Sequence, residues 1–404
     1  MKSWRPPTQE IQRLANEHIA HGALTNSKRP ECLVQGVYPT HLEKGQGCHV
    51  WDIEGNKYVD FICGLGSNIL GYGHPEWAQA ITDRAHLGAS LSLSTPLEIK
   101  CAEKIKEVMP FIEKVRFLKT GSDACSAAIR IARAKTQRHL VITEGYHGWH
   151  DEFVSITPPA LGVPPQRHIK KFLDEHDVRD VAAIIIEPIM TDMSEKRIEW
   201  LKAIRQQCDE HGIVLIFDEV ITGFRFPKFS VSNYLSIQPD LICLGKAMGN
   251  GMPISVVGGK TEIMNCGEYF ISSTFAGETL SLAAAIKTIS LLQTKYSLDD
   301  LWSKGRRFQE KFNEMWPEGV RIEGYPTRGA FAGDPLNKAL FWQEACMSGL
   351  IFGPSWFFNF SHISVTDQVL KTCEDILFRV KTGQVKLLGQ MPKSPFAQKQ
   401  REQK

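Results

Sequence analysis

The chain has 404 residues, long enough for two or three domains of ordinary size. It is 43% apolar and 23% charged, with 47 Lys+Arg against 45 Asp+Glu, a net charge of +2. That balance excludes disorder over most of the length and gives no strong field for nucleic acid or anionic lipid. The first seven residues, Met1 to Pro7, hold no apolar run, so no signal peptide is expected. No stretch approaches the roughly 18 uncharged apolar residues of a membrane span. Ten cysteines scatter from Cys32 to Cys373 without a C-x-x-C pair, which argues against a disulfide scaffold or a structural zinc. The expectation is a soluble, cytoplasmic protein whose cysteines are small core residues.

Residues 8–22 read as a short helix and 29–38 as irregular. His49-Val50-Trp51-Asp52 and Lys57-Tyr58-Val59-Asp60-Phe61 flank the turn Ile53-Glu54-Gly55-Asn56, a hairpin signal. Glycines follow at 64, 66, 71 and 73, and a helical period begins after His74-Pro75. The middle alternates strands at 115–118, 140–143, 182–186, 213–217 and 241–244 with helices at 123–135 and 198–211. This pattern predicts an α/β domain with a mostly parallel, buried sheet, from about Pro75 to about Leu292. After Leu301 the pattern is mixed, as in a smaller α+β domain, and the polar tail 393–404 is expected to fray.

Ligands of a parallel α/β sheet bind at the carboxyl ends of its strands. After 115–118 comes Lys119-Thr120-Gly121-Ser122-Asp123-Ala124. A glycine turn opening a helix suits a phosphate; alternatively Ser122 or Asp123 is only a helix cap. Neither a Walker loop nor a G-x-G-x-x-G fingerprint is present, which weakens nucleotide hypotheses. After 140–143 comes Glu144-Gly145-Tyr146-His147-Gly148-Trp149-His150-Asp151, with an aromatic ring placed to stack on a flat ligand. His147, His150 and Asp151 as metal ligands have no matching cluster elsewhere, so structural histidines are the simpler reading. Strand 213–217 runs into Asp218-Glu219, where an ionised carboxylate is costly to bury unless it meets a cation. The plain alternative is a cap, or an ion pair with Arg225. Strand 241–244 runs into Gly245-Lys246. Most lysines are solvated, but one at an apolar strand end can become an amine nucleophile. A phosphate cradle, a stacking ring, a carboxylate and a lysine together describe one ligand, pyridoxal phosphate (PLP). The aspartate would keep the ring nitrogen protonated, and the lysine would hold the aldehyde and move the α-proton.

On these residues the sequence resembles the class III (subgroup II) aminotransferases of fold type I, nearest the branch containing glutamate-1-semialdehyde aminomutase. Trp51 to Asp60, Gly71-Tyr72-Gly73-His74-Pro75, Gly121-Ser122-Asp123-Ala124, Tyr146-His147-Gly148, Glu187-Pro188, the run Phe217 to Arg225, Gly245-Lys246 and Ser273 to Glu278 carry the likeness in the family's order. The resemblance implies a large PLP-binding domain at 75–300. It implies an N-terminal segment, 1–74, that contributes to the small domain and the site entrance, and a C-terminal small domain at 301–404. It implies that Lys246 bonds the cofactor, that Asp218 pairs with the pyridine nitrogen, and that Val220 lies under the ring with Tyr146 above it. Gly121 and Ser122 would cradle the phosphate, Glu187 would join a polar network near the cofactor, and His147 would support the site. Thr274 would reach the phosphate of the other subunit of a homodimer.

Three departures shape the expected activity. Ile221 stands where many relatives place a glutamine for the ring 3-hydroxyl, and Asp192 is offered as its substitute. The segment between Asp151 and Ala183 is short for a retaining lid, which favours two-substrate transamination. The C-terminal arginine that binds an α-carboxylate in some members has no counterpart between Gly329 and Leu370, leaving amino acids, amino sugars and other amines open as substrates. The expected activity is ping-pong transfer of an amino group from an amino donor to an aldehyde or ketone. The runner-up is an intramolecular aminomutase. A binding protein without catalysis is disfavoured because both Asp218 and Lys246 are present.

Overall fold

The computed structural model describes residues 9–153 and 178–394. The described residues fall into two compact units, one within Met1–Leu65, Leu70–His74 and Leu301–Lys404, the other within Gly66–Ile69 and Pro75–Asp300.

In chain order the strands are β1 (Leu42–Gln46), β2 (His49–Asp52), β3 (Lys57–Asp60), β4 (Lys114–Leu118), β5 (Leu140–Glu144), β6 (Val181–Ile186), β7 (Val214–Asp218), β8 (Leu241–Leu244), β9 (Ser255–Gly259), β10 (Arg321–Tyr325), β11 (Arg328–Ala332), β12 (Leu350–Ile351) and β13 (Ser355–Phe357). The second unit holds a six-stranded sheet in the order β4-β9-β8-β7-β6-β5. Strands β5 to β8 pair in parallel, while β9 runs antiparallel between β8 and β4. Every residue of β6, β7 and β8 is buried. Their continuous aliphatic sequences fit strands covered on both faces, where no polar alternation is needed. Helix Gly121–Thr136 buries Ala124, Ala127, Ala128 and Ala132 in the same cluster as Ile185, Ile216 and Val257. Burying one such isoleucine stabilises the fold by roughly 1.5–3 kcal/mol.

The helix cap is Thr120: its hydroxyl accepts from Asp123 N at 3.1 Å, and Asp123 Oδ2 accepts from Thr120 N at 2.8 Å. This is a capping box, so Asp123 serves at the third helical position and Ser122 is not the cap. Helix Glu195–His211 starts on the Ser194 hydroxyl and ends at Gly212 in the left-handed region. The N-terminal helix is shorter than expected. It spans Glu10–His18 and breaks at Ile19, which is extended. The expected lid segment lies largely outside the described residues, as does most of the polar tail.

The first unit carries a sheet in the order β1-β2-β3-β12 and another in the order β10-β11-β13. The expected hairpin is β2–β3, and Asp52 closes it by accepting from Asn56 N at 2.7 Å and from Tyr58 OH at 2.7 Å. The core of this unit is aromatic. Phe61 stacks on Phe352 at 4.7 Å and on His362 at 4.3 Å, and Phe308 stacks on Trp356 at 5.4 Å. Among the described residues, no helix is long and apolar enough to cross a membrane.

Candidate active site

The carboxyl ends of β4, β5, β6, β7 and β8 open onto one pocket of about 330 Å³ inside the second unit. Lys119 to Ser122 follow β4, Tyr146 to Gly148 follow β5, Glu187 follows β6, Asp218 ends β7, and Lys246 follows β8; all of them line the pocket, with Val220 and Ile221.

Asp218 is buried, and its orientation is held from several sides. Oδ1 accepts from Val220 N at 3.1 Å. Oδ2 lies 2.9 Å from His147 Nδ1 and accepts from the Cys125 thiol at 3.4 Å. An ionised carboxylate offers only acceptors, so this contact places a proton on Nδ1. The other ring nitrogen, Nε2, is buried without a hydrogen-bond partner among the described residues, and the imidazole and Phe153 rings meet edge-on with centroids 5.6 Å apart. His147 thus contacts and orients a buried carboxylate, as a supporting residue would. Sγ of Cys125, Nδ1 of His147 and Oδ2 of Asp218 do lie within 4.8 Å of one another, but the three atoms are tied together by hydrogen bonding.

Consecutive strand residues face opposite ways, and the two adjacent carboxylates illustrate this. Glu219 is absent from the pocket lining. It accepts from Thr222 Oγ1 at 2.9 Å, Val231 N at 2.7 Å, Ser232 N at 2.9 Å and Ser232 Oγ at 2.6 Å. Burial still raises its carboxyl above the ordinary range despite these donors. Arg225, the suggested cation for this pair, donates to the carbonyl of Gly66 at 2.7 Å.

The phosphate-type turn is built by close approach. A Cβ on Gly121 would lie 2.9 Å from Val220 Cγ1, and one on Gly148 would lie 2.2 Å from Ser122 Oγ. Gly148 also has a φ of +112°, which side chains rarely adopt. Trp149 N donates to Ser122 Oγ at 3.3 Å. Gly121 and Ser122 open a helix of 16 residues, whose N–H groups and dipole favour an anion. Tyr146 N donates to Glu187 Oε1 at 2.8 Å. Burial, with the charge of Asp218 added, pushes the Tyr146 phenol up. Arg197 braces this wall by donating to the carbonyls of Glu187 at 3.0 Å and Pro188 at 3.1 Å and to Glu144 Oε1 at 2.9 Å. Lys246 takes a φ of 40°, an unusual backbone for a lysine.

Asp192 lies away from the pocket, and so does Thr274, which was expected to serve the other subunit. Asp192 is exposed, does not line the pocket, and accepts from Ser194 N at 2.9 Å, a bond that lowers its carboxyl below the ordinary range. Thr274 is exposed and also outside the pocket lining. His150 contacts Ser126 Oγ at 2.9 Å through Nδ1. Two residues that sequence reasoning passed over are close to the site. Lys119 donates to Pro253 O at 3.1 Å and pairs with Glu278 at 2.7 Å. Cys125 touches Asp218. Its signal was its place one helical turn after Gly121.

The donor set fits PLP. A buried carboxylate, a lysine, an exposed-edge tyrosine and an anion-favouring helix start share one pocket, and the glycines leave the space that side chains would fill.

Comparison with known proteins places the family and the fold. The chain is 32% identical to a glutamate-1-semialdehyde 2,1-aminomutase of Syntrophomonas wolfei subsp. wolfei, over 86% of this chain and 91% of that protein. Among solved structures it is similar to a PLP form of the FumI protein of Sphingopyxis sp. MTA144, with a TM-score of 0.86, 23% identity, and coverage of 95% and 98% of the two chains. An omega-transaminase from Sphaerobacter thermophilus superposes with a TM-score of 0.80 at 21% identity, covering 92% of this chain and 97% of that one. These likenesses show the fold, type I of the PLP-dependent transferases. The class-III aminotransferase family model matches residues 34–377, and the chain belongs to that family.

Proposed function

We propose that this chain binds PLP in the pocket at the sheet's carboxyl edge and transfers an amino group from an amino donor to a carbonyl acceptor by alternating half-reactions. The observation that carries this reading is the meeting of Asp218 and Lys246 in one pocket with the Gly121-Ser122 helix start. When bound, PLP supplies a protonated ring that withdraws electrons from the donor's α-carbon. Asp218 holds the proton on the ring nitrogen, and His147 holds Asp218. Gly121 and Ser122 bind the phosphate. Tyr146 and Val220 flank the ring, and Glu187 fixes the Tyr146 backbone. Lys246 Nζ anchors the cofactor and moves the proton at the donor's α-carbon. The Ile221 side chain offers no hydrogen bond, so Asp192 is the residue proposed for the ring 3-hydroxyl.

A homodimer is part of the proposal. Leu87, Leu91, Leu93, Ile99, Phe270 and Phe275 are exposed, and segments 88–89 and 279 are joined by Thr279 N to Ala89 O at 2.8 Å. Exposed apolar side chains of this kind suit burial against a second copy, and Thr274 beside Phe275 is the residue assigned to the partner's phosphate. A reducing, cytoplasmic setting is supported by ten free cysteines, with burial pushing Cys101 and Cys208 up to about 12.

A second reading, intramolecular aminomutase, is favoured by the name of the 32% identical relative. One experiment separates the two. The PLP-loaded enzyme is mixed with amines, amino acids and amino sugars, and its visible spectrum is followed with and without an external keto acid. Turnover that needs a second carbonyl substrate supports transamination. Isomerisation of an amino-aldehyde with no second substrate establishes the aminomutase. No spectral change with any donor overturns both.

A further inference from the structure

The helix that starts the phosphate cradle also carries a thiol that meets Asp218. Cys125 is one turn after Gly121 and Ser122 on helix Gly121–Thr136. Its sulfur is 3.4 Å from Asp218 Oδ2, the oxygen that also meets His147 Nδ1 at 2.9 Å. The thiol is 1% exposed, and burial, followed by the influence of Cys243 and of the Asp218 charge, pushes it far up. It is therefore an S–H group and a donor, since a thiolate beside a carboxylate would be repelled. Oδ2 thus receives two donors, and Oδ1 receives the Val220 N–H at 3.1 Å. A carboxylate oxygen has two lone pairs, so Oδ1 can accept one further N–H.

We propose that Cys125 is a positioning residue for Asp218, its thiol fixing the carboxylate rotation so that the grip on the ring nitrogen is in register with the phosphate cradle on the same helix. This rests on the PLP reading above. A rigid helix bearing both contacts sets the distance between the two ends of the cofactor. Neither end then shifts without the other. Each hydrogen bond to the ionised carboxylate also favours its charged form.

The test compares Cys125→Ala with Cys125→Ser, two variants of nearly equal side-chain size that differ in a hydroxyl donor. Melting of the cofactor-free proteins measures packing. The PLP dissociation constant and the pH profile of the visible band measure positioning. Cys125→Ala is expected to weaken PLP binding about three- to tenfold, the worth of one hydrogen bond. It should also move the acid limb of the profile to higher pH, because a carboxylate with one donor fewer takes up a proton more readily. Cys125→Ser should return both readouts to within about twofold of wild type. Equal dissociation constants and equal profiles for the two variants would overturn the proposal and leave Cys125 a packing residue. Should Cys125→Ala not fold, Cys125→Val against Cys125→Thr gives the same contrast at larger volume. Wild-type protein that takes up no PLP would overturn the functional reading itself, a result distinct from identical variants of a PLP-binding wild type.

Discussion

The two units build their cores from different side chains. The centre of the six-stranded sheet is mostly aliphatic: β6 reads Val-Ala-Ala-Ile-Ile-Ile and is wholly buried. The unit formed around β10, β11 and β13 is aromatic, with Phe61, Phe308, Phe312, Phe341 and Trp356 among its largest fully buried side chains. Slim β-branched strands pack in parallel under helices and leave their ends free to carry polar groups, so the chemistry collects at one edge of that sheet. Stacked rings fill space between thin sheets and helices, and their removal leaves large voids. One unit is specialised at its edge and the other at its centre.

That division can be broken by substitution. Lys246→Ala should lower turnover about 10⁴-fold or more and remove the visible absorbance of the loaded enzyme, while the melting midpoint of the cofactor-free protein holds. A variant with full activity would end the assignment of edge residues to chemistry. Phe308→Ala should cost about 3–5 kcal/mol in denaturant unfolding, because its ring meets Phe61 at 5.5 Å, Trp356 at 5.4 Å and Phe358 at 5.8 Å. PLP affinity of the folded fraction should stay at the wild-type value. Ile185→Val in the aliphatic sheet should cost only about 0.5–1.5 kcal/mol. If calorimetry finds the two core variants equal, the contrast between ring packing and aliphatic packing fails.

The smallest effect concerns pH. Partial burial pushes the Glu278 carboxyl up, but the hydrogen bonds and charge of Lys119, with Ser281, outweigh it and leave it below the ordinary value. A depressed carboxyl adds stability above its unfolded value and loses it as pH falls through the folded one. Wild type should thus lose about 1 kcal/mol or less on acidification, and Lys119→Met should lose less, keeping only the part that Ser281 supplies. Parallel acid-unfolding curves for the two proteins would show that the Lys119–Glu278 pair contributes nothing.

Much of the sheet was legible because its strands are unbroken apolar runs. β8 falls where the sequence placed it, at Leu241–Leu244, and β6 begins one residue earlier than expected. β9 was not legible. Its sequence, Ser-Val-Val-Gly-Gly, carries two glycines that weaken any strand signal, and its antiparallel direction follows from pairing with both β8 and β4. β1 was hidden too, because Leu-Glu-Lys-Gly-Gln is an exposed edge with no apolar alternation. In the site, Asp218, Lys246, Gly121, Ser122 and Tyr146 were readable as residues that follow strands. Cys125 and Lys119 were not, since a thiol on a helix and a lysine after a strand gain meaning only from what they touch. Asp192 was placed by its offset from Glu187-Pro188. An offset does not say which way a loop residue turns, and here it turns to the next helix cap.

Lys246 occupies a left-handed backbone that glycine would adopt more readily. The residue most central to turnover therefore sits on a backbone that favours a residue with no side chain. If selection for catalysis were lifted, drift to glycine at this position would ease the backbone, and a descendant without the amine would keep the pocket but not its chemistry.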